Sequence, residues 1–155
     1  MTMTHDSDDA FMRLAYDEAM RAGLRGEVPV GAVVVGNDKA VISRAHNLCE
    51  TSYDPTAHAE IIAIREAAKK CQSIRITEGT IYVTLEPCSM CIGAIVLARL
   101  KRLVYGADDP KSGAVVSNYN IGRDGRLNHI VEVSGGVMER ECAQLLRDFF
   151  QGLRG

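Results

Sequence analysis

A chain of 155 residues, 46% hydrophobic and 25% charged, has the length and composition of one globular domain with a buried core. Its net charge of −2 excludes a strongly basic polypeptide, and no apolar run approaches the roughly twenty residues of a membrane helix. Five cysteines, an odd number, argue against a disulfide framework, and the polar, acidic start is unlike a signal peptide.

The first half of the chain predicts a helix, a hairpin and a second helix. Apolar residues recur at helical spacing from Asp9 to Arg21. Pro29 to Val35 is a nearly continuous apolar strand, and Ala40 to Ala45 is the returning strand after a short polar turn. An Asp-Pro-Thr helix-entry signal then precedes a helix from Ala57 to Lys69.

The second half predicts a parallel unit. A strand from Ile81 to Leu85, a helix from Cys88 to Arg99 and a strand from Arg102 to Gly106 form a βαβ arrangement. Ile130 to Val133 is a last strand, and Glu139 to Leu153 is a closing helix. We expect an α/β fold, a three-layer α-β-α sandwich with a five-stranded mixed sheet. It forms one cytoplasmic domain over residues 1–155, of which residues 1–8 are a flexible leader.

His58, Cys88 and Cys91 are candidate metal ligands. The two cysteines are three residues apart at the start of a predicted helix, which places them on one face of its first turn. His58 falls in the first turn of the preceding predicted helix. Three ligands of these types suit Zn²⁺, which in catalytic sites keeps its fourth position open for water.

Glu60 is the carboxylate left over beside these ligands. It follows His58 by two positions, and at roughly 100° per residue its side chain points away from that of His58. The spacing H-x-E with P-C-x-x-C is the known signature of zinc nucleobase deaminases. Zinc lowers the pKa of bound water toward about 7, which makes a nucleophile available. The pattern therefore predicts hydrolytic deamination, with Glu60 as the proton shuttle.

A closed structural zinc site is the alternative interpretation of the same cysteine pair. It would need a fourth protein ligand, and the remaining candidates are Cys49, Cys71, His46 and His129. None of these has paired C-x-x-C or H-x₃₋₅-H spacing. The sequence therefore favours the open, catalytic site.

Longer strings around the zinc motif resemble the bacterial tRNA-specific adenosine deaminases of the cytidine deaminase superfamily. They run from Glu27 to Ala32, Asp54 to Glu60, Tyr82 to Cys88, Leu127 to His129 and Asp148 to Phe150. The resemblance implies a cytidine-deaminase-like fold and conversion of adenosine to inosine at the wobble position of a tRNA anticodon. It also implies a homodimer with one zinc ion per subunit and no nucleotide cofactor.

The resemblance further implies roles for single residues. His58, Cys88 and Cys91 would hold zinc, and Glu60 would move protons. Asn47 would hydrogen-bond the flipped base, although it could also be a plain turn residue. Further substrate-binding positions implied by the family are Val30 and Ala59 in the pocket, Asp109, Lys111 and Asn128 around the anticodon loop, and Phe149. One ring of the Phe149 and Phe150 pair would pack and one would lie near RNA.

The charge balance fits RNA binding least well, because phosphate binding favours a basic excess. Without the three aspartates Asp6, Asp8 and Asp9, the net charge changes from −2 to +1. Basic residues then cluster late in the chain, at Lys101, Arg102, Lys111, Arg123, Arg126, Arg140, Arg147 and Arg154. Either an RNA-facing patch or an ordinary mixed surface would account for them.

Two other functions are compatible with the sequence. A deaminase of free bases or nucleosides, of guanine or cytosine type, would share zinc, Glu60 and fold. A non-catalytic, zinc-structured RNA-binding module would share the ligands but would not need Glu60.

Overall fold

A computed structural model describes the backbone of residues 4–154 and the side chains of residues 7–153. In chain order the elements are α1 (Thr4–Leu24), β1 (Gly31–Val35), β2 (Val41–His46), α2 (Cys49–Ser52), α3 (Ala59–Cys71), β3 (Thr80–Leu85), α4 (Ser89–Leu97), β4 (Arg102–Ala107), β5 (Glu132–Ser134) and α5 (Glu139–Arg154). Among the described helices, none combines the length and the apolar character needed to cross a membrane.

The five strands form one mixed sheet in the order β2-β1-β3-β4-β5. Strand β1 pairs antiparallel with both β2 and β3, whereas β3, β4 and β5 run parallel. The predicted mixed sheet and its βαβ unit are thus confirmed.

Helices cover both faces of the sheet, as predicted. Because side chains alternate along a strand, Val33 and Val35 pack with Met12 of α1 on one face. Ala32 and Val34 pack on the other face, against α3 and α4. Helix α5 joins α1 on its side of the sheet. The three-layer sandwich brings the carboxyl ends of β3 and β4 to the same edge, where the candidate site lies.

The prediction that residues 1–8 form a flexible leader is wrong at Asp8. Helix α1 begins at Thr4 instead of Asp9, and the Asp8 side chain is buried. Its carboxylate accepts hydrogen bonds from both terminal nitrogens of Arg102, at 2.8 and 2.7 Å, and from the Tyr82 hydroxyl at 2.8 Å. These partners lie more than seventy residues away along the chain, so a local polar pattern cannot reveal them. Residues 1–3 of the predicted leader lie outside the described residues.

The Asp8 pair predicts a pH-dependent contribution to stability. Burial raises the pKa of Asp8, but the hydrogen bonds from Arg102 and Tyr82 outweigh it and hold the pKa below its ordinary value. We expect Asp8→Asn to lower the free energy of unfolding by about 3 kcal/mol at pH 7. Since the pKa of Asp8 is lower in the folded protein than in the unfolded chain, the full difference in unfolding free energy is present above about pH 4. The difference is lost as the pH falls through the folded-state pKa of Asp8.

Denaturant unfolding of both proteins between pH 3 and pH 7 measures this difference. A difference that stays constant down to pH 3 would contradict the linkage to Asp8 ionisation. Glu66→Gln, a change at an exposed carboxylate on α3, is the control and should show no comparable loss.

Candidate active site

Two helices begin at the candidate metal ligands. His58 is the N-cap of α3 and Cys88 is the N-cap of α4, both in extended conformation with ψ of 151° and 177°. Both residues were predicted to lie in a first helical turn, but α3 begins two residues later than predicted and α4 one residue later. The reason is that a residue before a helix can share its amphipathic pattern without sharing its backbone angles. Cys91 lies in the first turn of α4 and is buried.

The three ligand atoms converge. The Nδ1 atom of His58 lies 3.7 Å from the Sγ of Cys88 and 3.5 Å from the Sγ of Cys91, and all three ligand atoms lie within 4.8 Å of one another. Tetrahedral zinc, with bonds of about 2.3 Å to sulfur and 2.0 to 2.1 Å to nitrogen, would separate S and N by about 3.6 Å. The residues present therefore fit a zinc ion without rearrangement.

The two thiols differ in acidity. The hydrogen bond from Cys91 is the largest cause that lowers the pKa of Cys88, to about 4. The same hydrogen bond, together with burial, raises the pKa of Cys91. Cys88 is thus the more acidic of the two thiols, and the thiolate is the form that binds metal.

Glu60 lies in the first turn of α3 and is 4% exposed. Burial is the main cause that raises the pKa of its carboxyl group to about 7. A group with a pKa near neutrality can both accept and donate a proton at physiological pH. Glu60 faces the same cavity as His58 and Cys88.

Among the described side chains, none of the candidate fourth ligands of a closed site joins the converging group of metal ligands. His46 contacts Glu18 at 2.8 Å, and His129 contacts the carbonyl oxygen of Leu100 at 2.7 Å. Cys71 is exposed at the end of α3. Cys49 lines the cavity, but among the described side chains the converging ligand group comprises His58, Cys88 and Cys91. This arrangement favours the open site.

A cavity of about 260 Å³ opens at these ligands. It lies where β1 begins and where β2, β3 and β4 end, so that segments distant in sequence meet at one edge of the sheet. Its lining is formed by Val28, Val30, Asn47, Cys49, His58, Glu60, Leu85, Glu86, Cys88, Asp109 and Ser112. The predicted pocket residues Val30, Asn47 and Asp109 are therefore brought together with the metal ligands.

Asn47 connects the cavity wall to α3. Its side-chain Oδ1 accepts a hydrogen bond from the backbone N–H of Ala59 at 2.8 Å, and its own N–H donates to the Val30 carbonyl at 3.2 Å. Ala59 is fully buried between His58 and Glu60 and takes part through its backbone. Since Oδ1 is engaged, the Nδ2 amide is the group of Asn47 that can donate to a base.

A groove continues from the cavity, and the two share Val28, Leu85, Asp109 and Ser112 as lining residues. Lys111, Arg147 and Phe150 also line the groove, together with Asp108. Phe150 thus lies at the groove, whereas Phe149 was the residue predicted to bind the substrate. Phe149 is half-buried and packs edge-on against Phe150, with ring centroids 5.4 Å apart. Asn128 is exposed and lines neither the cavity nor the groove.

Comparison with known proteins shows the family of this chain. A family model described as MafB19-like deaminase matches residues 6–154. A tRNA-specific adenosine deaminase of Haemophilus influenzae is 49% identical over 147 residues, which cover 95% of this chain and 85% of that protein. The chain belongs to the tRNA-specific adenosine deaminase family. A second member, from Bacillus subtilis, is 48% identical over 95% of this chain and 91% of its own length.

Solved structures agree with the fold of this deaminase. A tRNA:A34 deaminase structure from a study of A-to-I editing at the wobble position superposes with a TM-score of 0.85 and 47% identity. It covers 88% of this chain and 99% of that chain. A guanine deaminase from Nitrosomonas europaea, at 21% identity and a TM-score of 0.77, shares the fold alone. The resemblance and the fold class inferred from the sequence are both confirmed.

The buried carboxylates of the deaminase that were not predicted from the sequence include Glu27 and Glu86. Glu27 is 1% exposed and accepts hydrogen bonds from the backbone N–H groups of Glu50 and Thr51 at the start of α2. Glu86 lines the cavity beside Cys88; burial raises its pKa, but hydrogen bonds led by those of Ser117 hold it below its ordinary value. A charged residue inside the otherwise apolar run before Pro87 was the available signal for Glu86. No comparable feature of the sequence marked Cys49 or Leu85 as a residue of the cavity wall.

Proposed function

We propose that this chain converts adenosine to inosine at the wobble position of a tRNA anticodon, by zinc-dependent hydrolytic deamination. The observation that carries the proposal is the convergence of His58, Cys88 and Cys91 beside the buried Glu60, at the base of a cavity. The family membership supports tRNA as the substrate, since both relatives described above are tRNA-specific adenosine deaminases.

The chemistry assigned to the chain's own residues is proton transfer and base binding. His58, Cys88 and Cys91 would hold zinc, which when bound would lower the pKa of the attacking water. Glu60 takes a proton from that water and delivers it to the ring nitrogen next to C6, and it then carries a second proton to the exocyclic amine. Oxygen bonds to C6, the C–N bond breaks and ammonia leaves, so adenosine and water give inosine and ammonia. The Nδ2 amide of Asn47 and the apolar Val30 hold the base in place.

An anticodon loop suits this cavity better than a duplex. The target base must leave its stack to reach Glu60, and this costs a few kcal/mol, least in an unpaired loop. The groove beside the cavity offers Lys111 and Arg147 for phosphates and the Phe150 ring for a flanking base. Asp108 and Asp109 line the same groove, so phosphate binding depends on these two cations individually and not on a net positive charge of the groove.

The deciding experiment compares substrates. Pure, zinc-loaded protein is incubated with free adenosine, cytidine, guanine and an arginine tRNA anticodon stem-loop, and inosine or other products are quantified. We expect inosine in the stem-loop and no turnover of the free compounds. Turnover of a free base would overturn the tRNA assignment in favour of a nucleobase deaminase. Stem-loop binding without any product would favour the non-catalytic module.

The groove yields a prediction about salt dependence. Lys111→Ala and Arg147→Ala should each weaken stem-loop binding several-fold and reduce the slope of log K against log salt by about one, because each removes one phosphate contact. Lys101→Ala is the matched control, since Lys101 lies before the amino end of β4, at the opposite edge of the sheet. Fluorescence anisotropy titrations between low and moderate salt measure the slopes. Equal slopes for all three variants would contradict an RNA path along the groove.

A homodimer in the cytoplasm completes the proposal. The family resemblance supports the homodimer, and a tRNA substrate supports the cytoplasmic location. Large apolar side chains that stand exposed and that a second copy could cover include Tyr53, Ile74 and Leu97.

A further inference from the structure

Glu86 is a buried carboxylate with an unusual number of partners. It follows directly on β3, and it is 2% exposed. Its Oε1 accepts the backbone N–H of Asp109 at 3.1 Å and the hydroxyl of Ser117. Its Oε2 accepts three successive backbone N–H groups, those of Val115 at 3.2 Å and of Val116 and Ser117 at 2.9 Å. One side chain thus satisfies five donors.

All five donors belong to residues 109–117, which we call the Glu86 loop. This segment forms turns and no regular helix or strand, so its backbone N–H groups lack the partners that a helix or sheet supplies. Three N–H groups in a row that point at one carboxylate resemble the anion-binding start of a helix. The loop therefore owes much of its conformation to Glu86.

Gly113 shows how closely the loop approaches this carboxylate. A Cβ atom added at Gly113 would lie 2.4 Å from Cδ of Glu86 and 2.6 Å from the carbonyl oxygen of Asp109. Contacts below 3.0 Å force something to move. The backbone passes over Glu86 at a distance that excludes any side chain.

The same loop forms one wall of the substrate site. Asp109 and Ser112 line the cavity, and Lys111 lines the groove. Within the loop, Asp109 Oδ1 accepts the N–H groups of Lys111 and Ser112, each at 3.1 Å, so a displacement of Asp109 carries the other two with it. These contacts link Glu86 to the substrate surface but not to the proton path of Glu60.

We propose that Glu86 is a positioning residue for substrate binding: it fixes the Glu86 loop against the cavity so that Asp109, Lys111 and Ser112 meet the flipped nucleoside and its flanking phosphate. The assignment rests on the proposed function. Glu86 acts through the loop, because all five hydrogen bonds that its carboxylate accepts come from residues 109–117. Its removal should therefore weaken binding while the chemical step at a bound base persists.

Two variants test this from opposite sides of the contact. Glu86→Gln keeps the side-chain shape but turns an amide N–H₂ toward the loop donors, and Gly113→Ala keeps the carboxylate but pushes the loop away from it. Each should raise KM for the stem-loop about tenfold, with kcat changed less than about threefold. Zinc content should stay at the wild-type level in both.

Matched controls separate positioning from stability. Asp8→Asn also neutralises a buried, hydrogen-bonded carboxylate, but on the α1 side of the sheet, and should leave KM unchanged. Gly93→Ala adds a methyl group that meets nothing within 4 Å and should leave both constants unchanged.

The outcomes are distinct. If the wild-type protein fails to deaminate the stem-loop, the proposed function fails. If it succeeds but Glu86→Gln and Gly113→Ala keep a wild-type KM, or lose kcat and zinc together, the positioning role is overturned. Anisotropy with the zinc-loaded Glu60→Gln protein, with and without Glu86→Gln, gives a second readout independent of turnover, and equal dissociation constants would count against the proposal.

Discussion

Glu60→Gln should lower the turnover of the stem-loop by about 10² to 10⁴-fold. The glutamine side chain has nearly the same size and would still fit beside the metal ligands, but its amide cannot accept and release a proton. Burial, which raises the pKa of the Glu60 carboxyl to about 7, is what makes this residue suited to transfer in both directions. Because the converging ligand group comprises His58, Cys88 and Cys91 and does not include Glu60, zinc content should stay near one ion per chain.

Single-turnover measurements with excess enzyme isolate this chemical step from product release. Glu66→Gln provides the control, because Glu66 is an exposed carboxylate six positions further along the same helix. It should keep wild-type turnover. If Glu60→Gln retained more than about a tenth of wild-type turnover, another group would have to move the protons. If it lost zinc as well, the residue would be a ligand instead of a shuttle.

The convergence of the candidate metal ligands was predictable because local geometry fixes the directions of their side chains. Cys88 and Cys91 are three positions apart at a helix start, and His58 and Glu60 are two apart at another. Such spacings constrain side-chain directions before any tertiary contact forms. Only the connection between the two helix starts had to come from the fold. Because β1 pairs antiparallel with both β2 and β3, the carboxyl ends of β2 and β3, which precede α3 and α4, lie at the same edge of the sheet.

The buried carboxylates around the site were not predictable, because their partners lie far away in the sequence. Asp8 pairs with a residue 94 positions away, and Glu86 with a loop that begins 23 positions later. The sequence around an acidic residue does not show which distant residue it will pair with. Phe149 and Phe150 are adjacent on one helix, and the choice between them depends on the rotation of α5 against the sheet, which the apolar pattern fixes only to within about one residue.

Loss of one ligand should abolish activity. In Cys91→Ala the buried sulfur that lies 3.5 Å from His58 Nδ1 is removed, leaving two protein ligands for the ion. Zinc that requires three ligands is then held weakly, and the purified variant should contain less than about a tenth of the wild-type zinc, with turnover below detection. The wild-type protein should lose turnover on chelation and regain it when zinc is restored.

The melting temperature of the protein gives an independent measure of zinc binding at this site. An ion present at a thousand times its dissociation constant stabilises the folded state by about 4 kcal/mol, so chelation should lower the melting temperature of the wild type. The Cys91→Ala melting temperature should not respond to chelator, because no ion is bound to remove. Cys71→Ala, a change at an exposed thiol at the end of α3, should behave as wild type in zinc content, activity and melting. Full zinc retention by Cys91→Ala would contradict the assignment of Cys91 as a required ligand, and Cys49 of the cavity wall would be the first alternative donor to test.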